Sequence, residues 1–250
     1  MGNLFLGFPV PRAKIADMIA GSAPPALHKT QHQDGGTDEI DVTGLVGAGG
    51  AGIGLNDLLF QTYFESLDGF YQSVTGSGVI SISSSIVTLN TGATASSQAT
   101  IRKDPYDTIP PWDWSKNCQL NLWARFVANA SNIAEVWAII GYEGANQHVG
   151  FYVYGGKLYG TVADFNAVST LLLEDFGATA YNKARRLIAK LTAGVECRYW
   201  VNGVDKGAII TNLPAGLSGG QPLCYGRIKN LTAAEQKILY LSQWLAWNAA

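Results

Sequence analysis

Between residues 118 and 126 the side chains alternate: Cys118, Leu120, Leu122, Ala124 and Phe126 fall on one face, Gln119, Asn121, Trp123 and Arg125 on the other. A half-buried strand requires this period of two. Val195, Cys197, Tyr199 and Val201 alternate in the same way against Glu196, Arg198, Trp200 and Asn202. Further strands are predicted over 79–83, 97–103, 136–142, 149–154, 157–163, 186–191, 223–228 and 237–247. Gly155-Gly156 and Asn202-Gly203 stand between pairs of these runs as two-residue hairpin turns, the spacing at which primed turns join antiparallel strands. Short strands separated by turns, without intervening helical periodicity, predict an all-β, two-sheet antiparallel sandwich. Thr232-Ala233-Ala234-Glu235 has the form of a capping box and predicts one helical turn before the last strand.

Residues 1–57 break this pattern. Leu4, Phe5, Leu6 and Phe8 are interrupted by Pro9 and Pro11, and a short helix over 13–20 would put Ile15, Met18 and Ile19 on one face. Pro24-Pro25, a histidine-bearing stretch and six glycines between 44 and 54 follow. About fifty residues with no core of their own call for a partner surface. The chain therefore divides into a docking arm with a glycine-rich linker, 1–57, and a folded domain, 58–250. Burying Leu4, Phe5, Leu6, Phe8, Ile15, Met18 and Ile19 in a partner would contribute on the order of 10 kcal/mol before ordering costs.

Composition narrows the classes. A hydrophobic share of 47% in 250 residues supports a full core, and 29 Gly with 7 Trp suits sheets joined by tight turns. With 14% charged residues and a net charge of -2 there is no basic field for a nucleic-acid backbone. The apolar start is too short and too interrupted for a secretion signal or a membrane span, so no membrane partner is expected. Cys118, Cys197 and Cys224 show no metal or redox spacing and read as buried fillers made in a reducing cytosol. The sequons at Asn129 and Asn230 then have no glycosylation role.

Two sets of residues carry a resemblance. His28-Lys29-Thr30-Gln31-His32-Gln33-Asp34-Gly35-Gly36-Thr37-Asp38-Glu39-Ile40 resembles an arm segment of tailed-bacteriophage virion proteins. Phe64 to Phe70, Gly76-Ser77-Gly78, Leu89 to Thr94, Tyr199-Trp200-Val201-Asn202-Gly203-Val204 and Thr211-Asn212-Leu213-Pro214 together resemble the concanavalin A-like jelly rolls of phage structural proteins, over residues 58 to 248. The resemblance implies a homotrimeric virion protein, assembled in the host cytoplasm, whose arm docks on a major capsid or tail protein. Without shaft repeats, capsid decoration is the leading expectation, and a fibre or receptor-binding module for host surface glycans is the alternative.

Candidate chemistry is sparse. His28 and His32 are four apart, but Gly35-Gly36 ends any helix there, so they are metal candidates only where an oligomer gathers several copies. A glycan hydrolase needs a close carboxylate pair; Glu174 and Asp175 point to opposite faces, and Glu135, Glu143 and Glu196 read as isolated. No Gly-x-Ser-x-Gly elbow is present, His148 is the sole candidate base in the domain, and 47–54 lacks the Lys-Ser/Thr of a phosphate loop. No catalytic residue and no cofactor is expected. Trp112, Asp113 and Trp114, with Tyr142, Asn146 and His148 as a second loop, are the glycan-binding candidates, because sugars are held by aromatic faces beside polar groups.

Overall fold

The alternating segments pair into two sheets. The computed structural model describes residues 58–104, 112–128, 134–144, 146–165, 167–177, 181–218, 221–231 and 236–248. Leu4, Phe5, Leu6, Phe8, Ile15, Met18, Ile19, His28, His32 and the capping box at 232–235 lie outside them.

Sheet I has eight strands: β1 (Leu58–Thr62), β3 (Val79–Ser83), β4 (Ile86–Asn90), β7 (Cys118–Ala128), β12 (Tyr181–Thr192), β13 (Glu196–Val201), β14 (Val204–Ile209) and β17 (Lys237–Asn248). Its order is β14-β13-β12-β7-β17-β4-β3, with β1 also paired to β17. Sheet II has seven: β2 (Tyr71–Thr75), β5 (Gln98–Lys103), β8 (Ala134–Gly141), β9 (His148–Tyr154), β10 (Lys157–Asp164), β11 (Ala167–Asp175) and β16 (Cys224–Asn230), in the order β11-β10-β9-β8-β16-β5-β2. A small ribbon pairs β6 (Trp112–Asp113) with β15 (Leu217–Ser218). Neighbouring strands run antiparallel, so the expected all-β sandwich is the observed architecture.

Period-two patterning explains which side of each strand is inside. Leu120, Leu122, Leu187, Ala189, Leu239 and Leu241 of sheet I meet Ile101, Val136, Phe151, Val153, Val162 and Ile228 of sheet II in one core. Each large aliphatic so buried contributes about 1.5–3 kcal/mol relative to exposure. Cys118, Cys197 and Cys224 are free and buried in that core, and burial pushes the Cys197 thiol up to about 12.

The hairpin turns are as expected. Gly155-Gly156 joins β9 to β10 with φ of 56° and 73°, and Asn202-Gly203 joins β13 to β14 with φ of 51° and 82°, the left-handed pairs a primed turn needs. At Gly160 of β10 a Cβ atom would lie 2.7 Å from the Tyr199 ring, so only glycine admits that ring. The Tyr199 hydroxyl then donates to the Thr161 carbonyl at 2.9 Å, tying sheet I to sheet II.

Differences from the expected strands have local causes. β12 starts at Tyr181, not near 186, because Lys183 to Arg186 pair with β7 through their backbones while Arg185 is neutralised by Glu174 of β11. β2 and β11 are edge strands, β2 exposed at four of its five side chains and β11 buried at Leu173 alone, so neither shows the buried period of a central strand.

Candidate functional site

The tryptophan loop is structural, which corrects the expectation that it stacks sugars. Trp112 and Trp114 are fully buried, their rings 5.4 Å apart. Pairing of β6 with β15, and the Trp114 amide donating to the Gly216 carbonyl at 2.9 Å, turn both indoles inward. Asp113 is equally occupied. Its carboxylate accepts from the Ser115 hydroxyl at 2.6 Å and the Ser115 amide at 3.0 Å, and the hydroxyl bond holds its pKa below the ordinary value. Its own amide and carbonyl are clamped by Asn248.

The second loop is split by the structure. His148 is fully buried, so it offers no ring to a ligand. Its Nδ1 lies 3.1 Å from the Tyr142 carbonyl and 3.0 Å from the Asn146 carbonyl, and its Nε2 lies 2.9 Å from the Thr161 hydroxyl. Two carbonyls require a proton on Nδ1, which leaves Nε2 to accept from Thr161. Burial drives the imidazole pKa down to about 4. His148 is therefore a neutral brace for the turn from 142 to 148, and neither base nor ligand. Asn146 is exposed, with its amide donating to the Glu143 carbonyl at 3.0 Å. Tyr142 is half-buried at the margin of the outward face of sheet II, its ring 6.3 Å from Tyr225.

That outward face carries what the sequence reading did not assemble. Register places Tyr159, Tyr152 and Trp137 side by side across β10, β9 and β8. Tyr152 stands 4.3 Å from the Trp137 ring, 6.2 Å from Tyr159 and 5.9 Å from Tyr154, with which it is nearly parallel. Trp137 and Tyr225 are largely covered, Tyr152 and Tyr159 half-exposed, and Tyr154 is 46% exposed. Ile139, Tyr225 and Trp137 form a small apolar cluster apart from the main core, with Tyr142 and Tyr152 packed on it.

Charges border the rings. The Arg227 guanidinium bridges Glu135 and Glu143, both far from it in sequence. Trp137 Nε1 also donates to Glu135 at 2.6 Å. Burial raises the Glu143 carboxyl against the opposing pull of Arg227. Arg102, paired with Asp104, lies 4.5 Å over the Tyr71 ring and 5.6 Å from that of Tyr142. Burial pushes the Tyr152 and Tyr225 phenols up, so both stay neutral hydroxyls that donate and accept. The glutamates are thus not isolated, yet each is held by Arg227 as an acceptor. Glu174 and Asp175 do point apart, to Arg185 and Lys157. Among the described residues no three His, Cys, Asp or Glu side chains gather where a metal ion could sit.

One signal for this face was present in the sequence. In β9 both parities are apolar or aromatic, Val149, Phe151 and Val153 inward and Tyr152 and Tyr154 outward. A strand whose solvent side is wet needs no tyrosine there.

The two sheets and their topology define a two-sheet antiparallel β-sandwich. No protein-family model matches the chain, and no curated protein matches its sequence. Among solved structures it is similar to the carbohydrate recognition domain of Emp47p, with a TM-score of 0.55 and 8% identity, covering 80% of this chain and 100% of that one. The binding domain of Paraclostridial Mosquitocidal Protein 1 gives 0.52 at 16% identity, over 78% of this chain and 49% of that one. The botulinum neurotoxin serotype D/C VPI 5993 binding domain gives 0.53 at 10% identity, over 78% and 50%. The chain spans about half the length of the toxin binding domains it matches. At these identities the likeness is one of fold.

Proposed function

We propose that the sandwich is a non-catalytic recognition module that holds surface glycans on the outward face of sheet II. The observation that carries this is the row of exposed or half-exposed rings Tyr159, Tyr152 and Tyr154, backed by the covered Trp137, beside the Glu135–Arg227–Glu143 triad. Flat aromatic faces take the C–H side of a sugar ring, and the charged rim offers hydrogen bonds to its hydroxyls. The fold it shares with a carbohydrate recognition domain supports the reading. A hydrolytic reading is less favoured because both glutamates are engaged by Arg227 and neither is free to attack or to protonate a leaving group.

In the intact protein we place this module on a bacteriophage particle, attached through residues 1–57 to a major capsid or tail protein as a homotrimer. That placement rests on the sequence resemblance, and the aromatic face favours a receptor-binding role over plain capsid decoration. The test is a glycan array probed with the full chain and with a Tyr152→Ala, Tyr154→Ala variant. Loss of at least about tenfold in affinity is expected, since each stacked ring is worth about 1 kcal/mol. Unchanged binding by a folded variant rejects the face.

A further inference from the structure

Sheet I has its own exposed site, on the side of the sandwich away from the tyrosines. We propose that the groove over β4, β7 and β17 binds a carboxylate-bearing saccharide, with Trp123 as the stacking surface and Arg125 as the anion anchor. The groove has a volume of about 440 Å³, and Ile86, Trp123, Arg125 and Tyr240 line it together with serine and threonine hydroxyls. Trp123 is 42% exposed, although a tryptophan of its size would ordinarily be covered.

The charge pattern selects the ligand. β3, β4, β7, β12 and β17 contain no Asp or Glu at all. Arg186 stands directly across from Trp123 in the β12–β7 register, and both are exposed. Arg125 lies 5.3 Å from the Tyr240 ring and its Nε donates to Asn182 at 2.5 Å. This arrangement aims the guanidinium while leaving its terminal nitrogens without an ion pair among the described residues. An oriented arginine with no carboxylate partner, beside an open indole, matches a sugar that carries its own carboxylate.

Two backbone irregularities meet at the same place. Ser84 and Ser85, in the β3–β4 turn, adopt φ of 50° and 60°, a conformation that costs a non-glycine residue about 1 kcal/mol. Ser84 lines the groove. On the far wall β17 bulges between Leu241 and Gln243, and the extra residue, Ser242, also faces the groove. The left-handed pair is what the two-residue β3–β4 hairpin requires, whereas the bulge is a device that re-aims a side chain. Ser84 and Ser242 thus line the same groove as Trp123 and Arg125.

The site is tested on the full chain by calorimetric titration with oligogalacturonate and with sialyllactose, each against its neutral counterpart, the methyl ester and lactose. At least one acidic saccharide should bind, its neutral counterpart at least about tenfold more weakly, and added salt should weaken the acidic ligand alone. Arg125→Gln and Trp123→Ala should each lower that affinity by about tenfold or more, while Tyr152→Ala leaves it unchanged. Because both substitutions are at exposed positions, folding is checked by the unaltered melting temperature. Failure of both acidic saccharides to bind, or binding indifferent to Trp123 and Arg125, overturns the proposal. Loss through Tyr152→Ala instead returns the ligand to sheet II, so the two sites fail separately.

Discussion

The two outward faces of the sandwich solve the same problem in opposite ways. On sheet II, Arg227 is spent between Glu135 and Glu143, and the rings beside it are tyrosines with neutral hydroxyls. On sheet I the central strands carry no carboxylate, and Arg125 and Arg186 flank an open indole. An arginine closed into an ion-pair network is part of the protein's own stability, whereas one held by an amide and a ring, with no carboxylate partner among the described residues, remains available to something else. Composition reports only a net charge of -2; the arrangement of those charges separates a neutral surface from a cationic one.

The largest expected effects test the closed face and its neighbouring core. Arg227→Ala should destabilise the domain by about 3–5 kcal/mol in urea unfolding, because two half-buried carboxylates lose their counter-charge, while Arg125→Ala should stay within about 0.5 kcal/mol. Equal effects would erase the distinction. Adding Glu135→Gln and Glu143→Gln to the Arg227 variant should restore much of the loss. Trp114→Ala should cost about 3–5 kcal/mol by opening a cavity, so any accompanying loss of glycan binding would be accompanied by unfolding.

A smaller effect follows from pH. His148 has a folded pKa near 4 against an ordinary 6.5, so between those values the unfolded chain takes up a proton that the folded chain refuses. The stability it supports is complete above pH 6.5 and declines as the pH falls toward 4, by about 3 kcal/mol in all. Glu143 works the other way. Its raised carboxyl lowers stability as pH rises through that value, which flattens the net slope. Asp113 and Glu174, both lowered, lose their contributions only in stronger acid. The difference between the wild-type chain and His148→Gln, followed by urea midpoints across pH 4–7, isolates the histidine; parallel curves would show that it does not titrate as described.

Much of the fold was legible because burial enforces parity. Cys118 to Phe126 and Val195 to Val201 could be assigned from alternation, and Asn202-Gly203 from its turn chemistry. The site was less legible for a physical reason. Trp112 and Trp114 sit in a proline-rich stretch that reads as exposed, and only the β6–β15 ribbon, 104 residues apart at Asp113 and Leu217, turns them inward. The Glu135–Arg227–Glu143 bridge likewise joins residues 84 and 92 positions apart, and no local spacing encodes it. Tyr142 likewise has its ring partners on β16 and β5, remote from its own loop in sequence.

The glycine under Tyr199 has a consequence for the surface as well as for the core. If β10 slid by a single position against its neighbours, Tyr159 or Thr161 would be driven into the tyrosine ring in place of Gly160, and the outward row would lose its first member. The missing side chain therefore acts as an alignment pin. It lets the interior accept one alignment of the strand only, and that alignment keeps Tyr159 in line with Tyr152 and Trp137 on the outside.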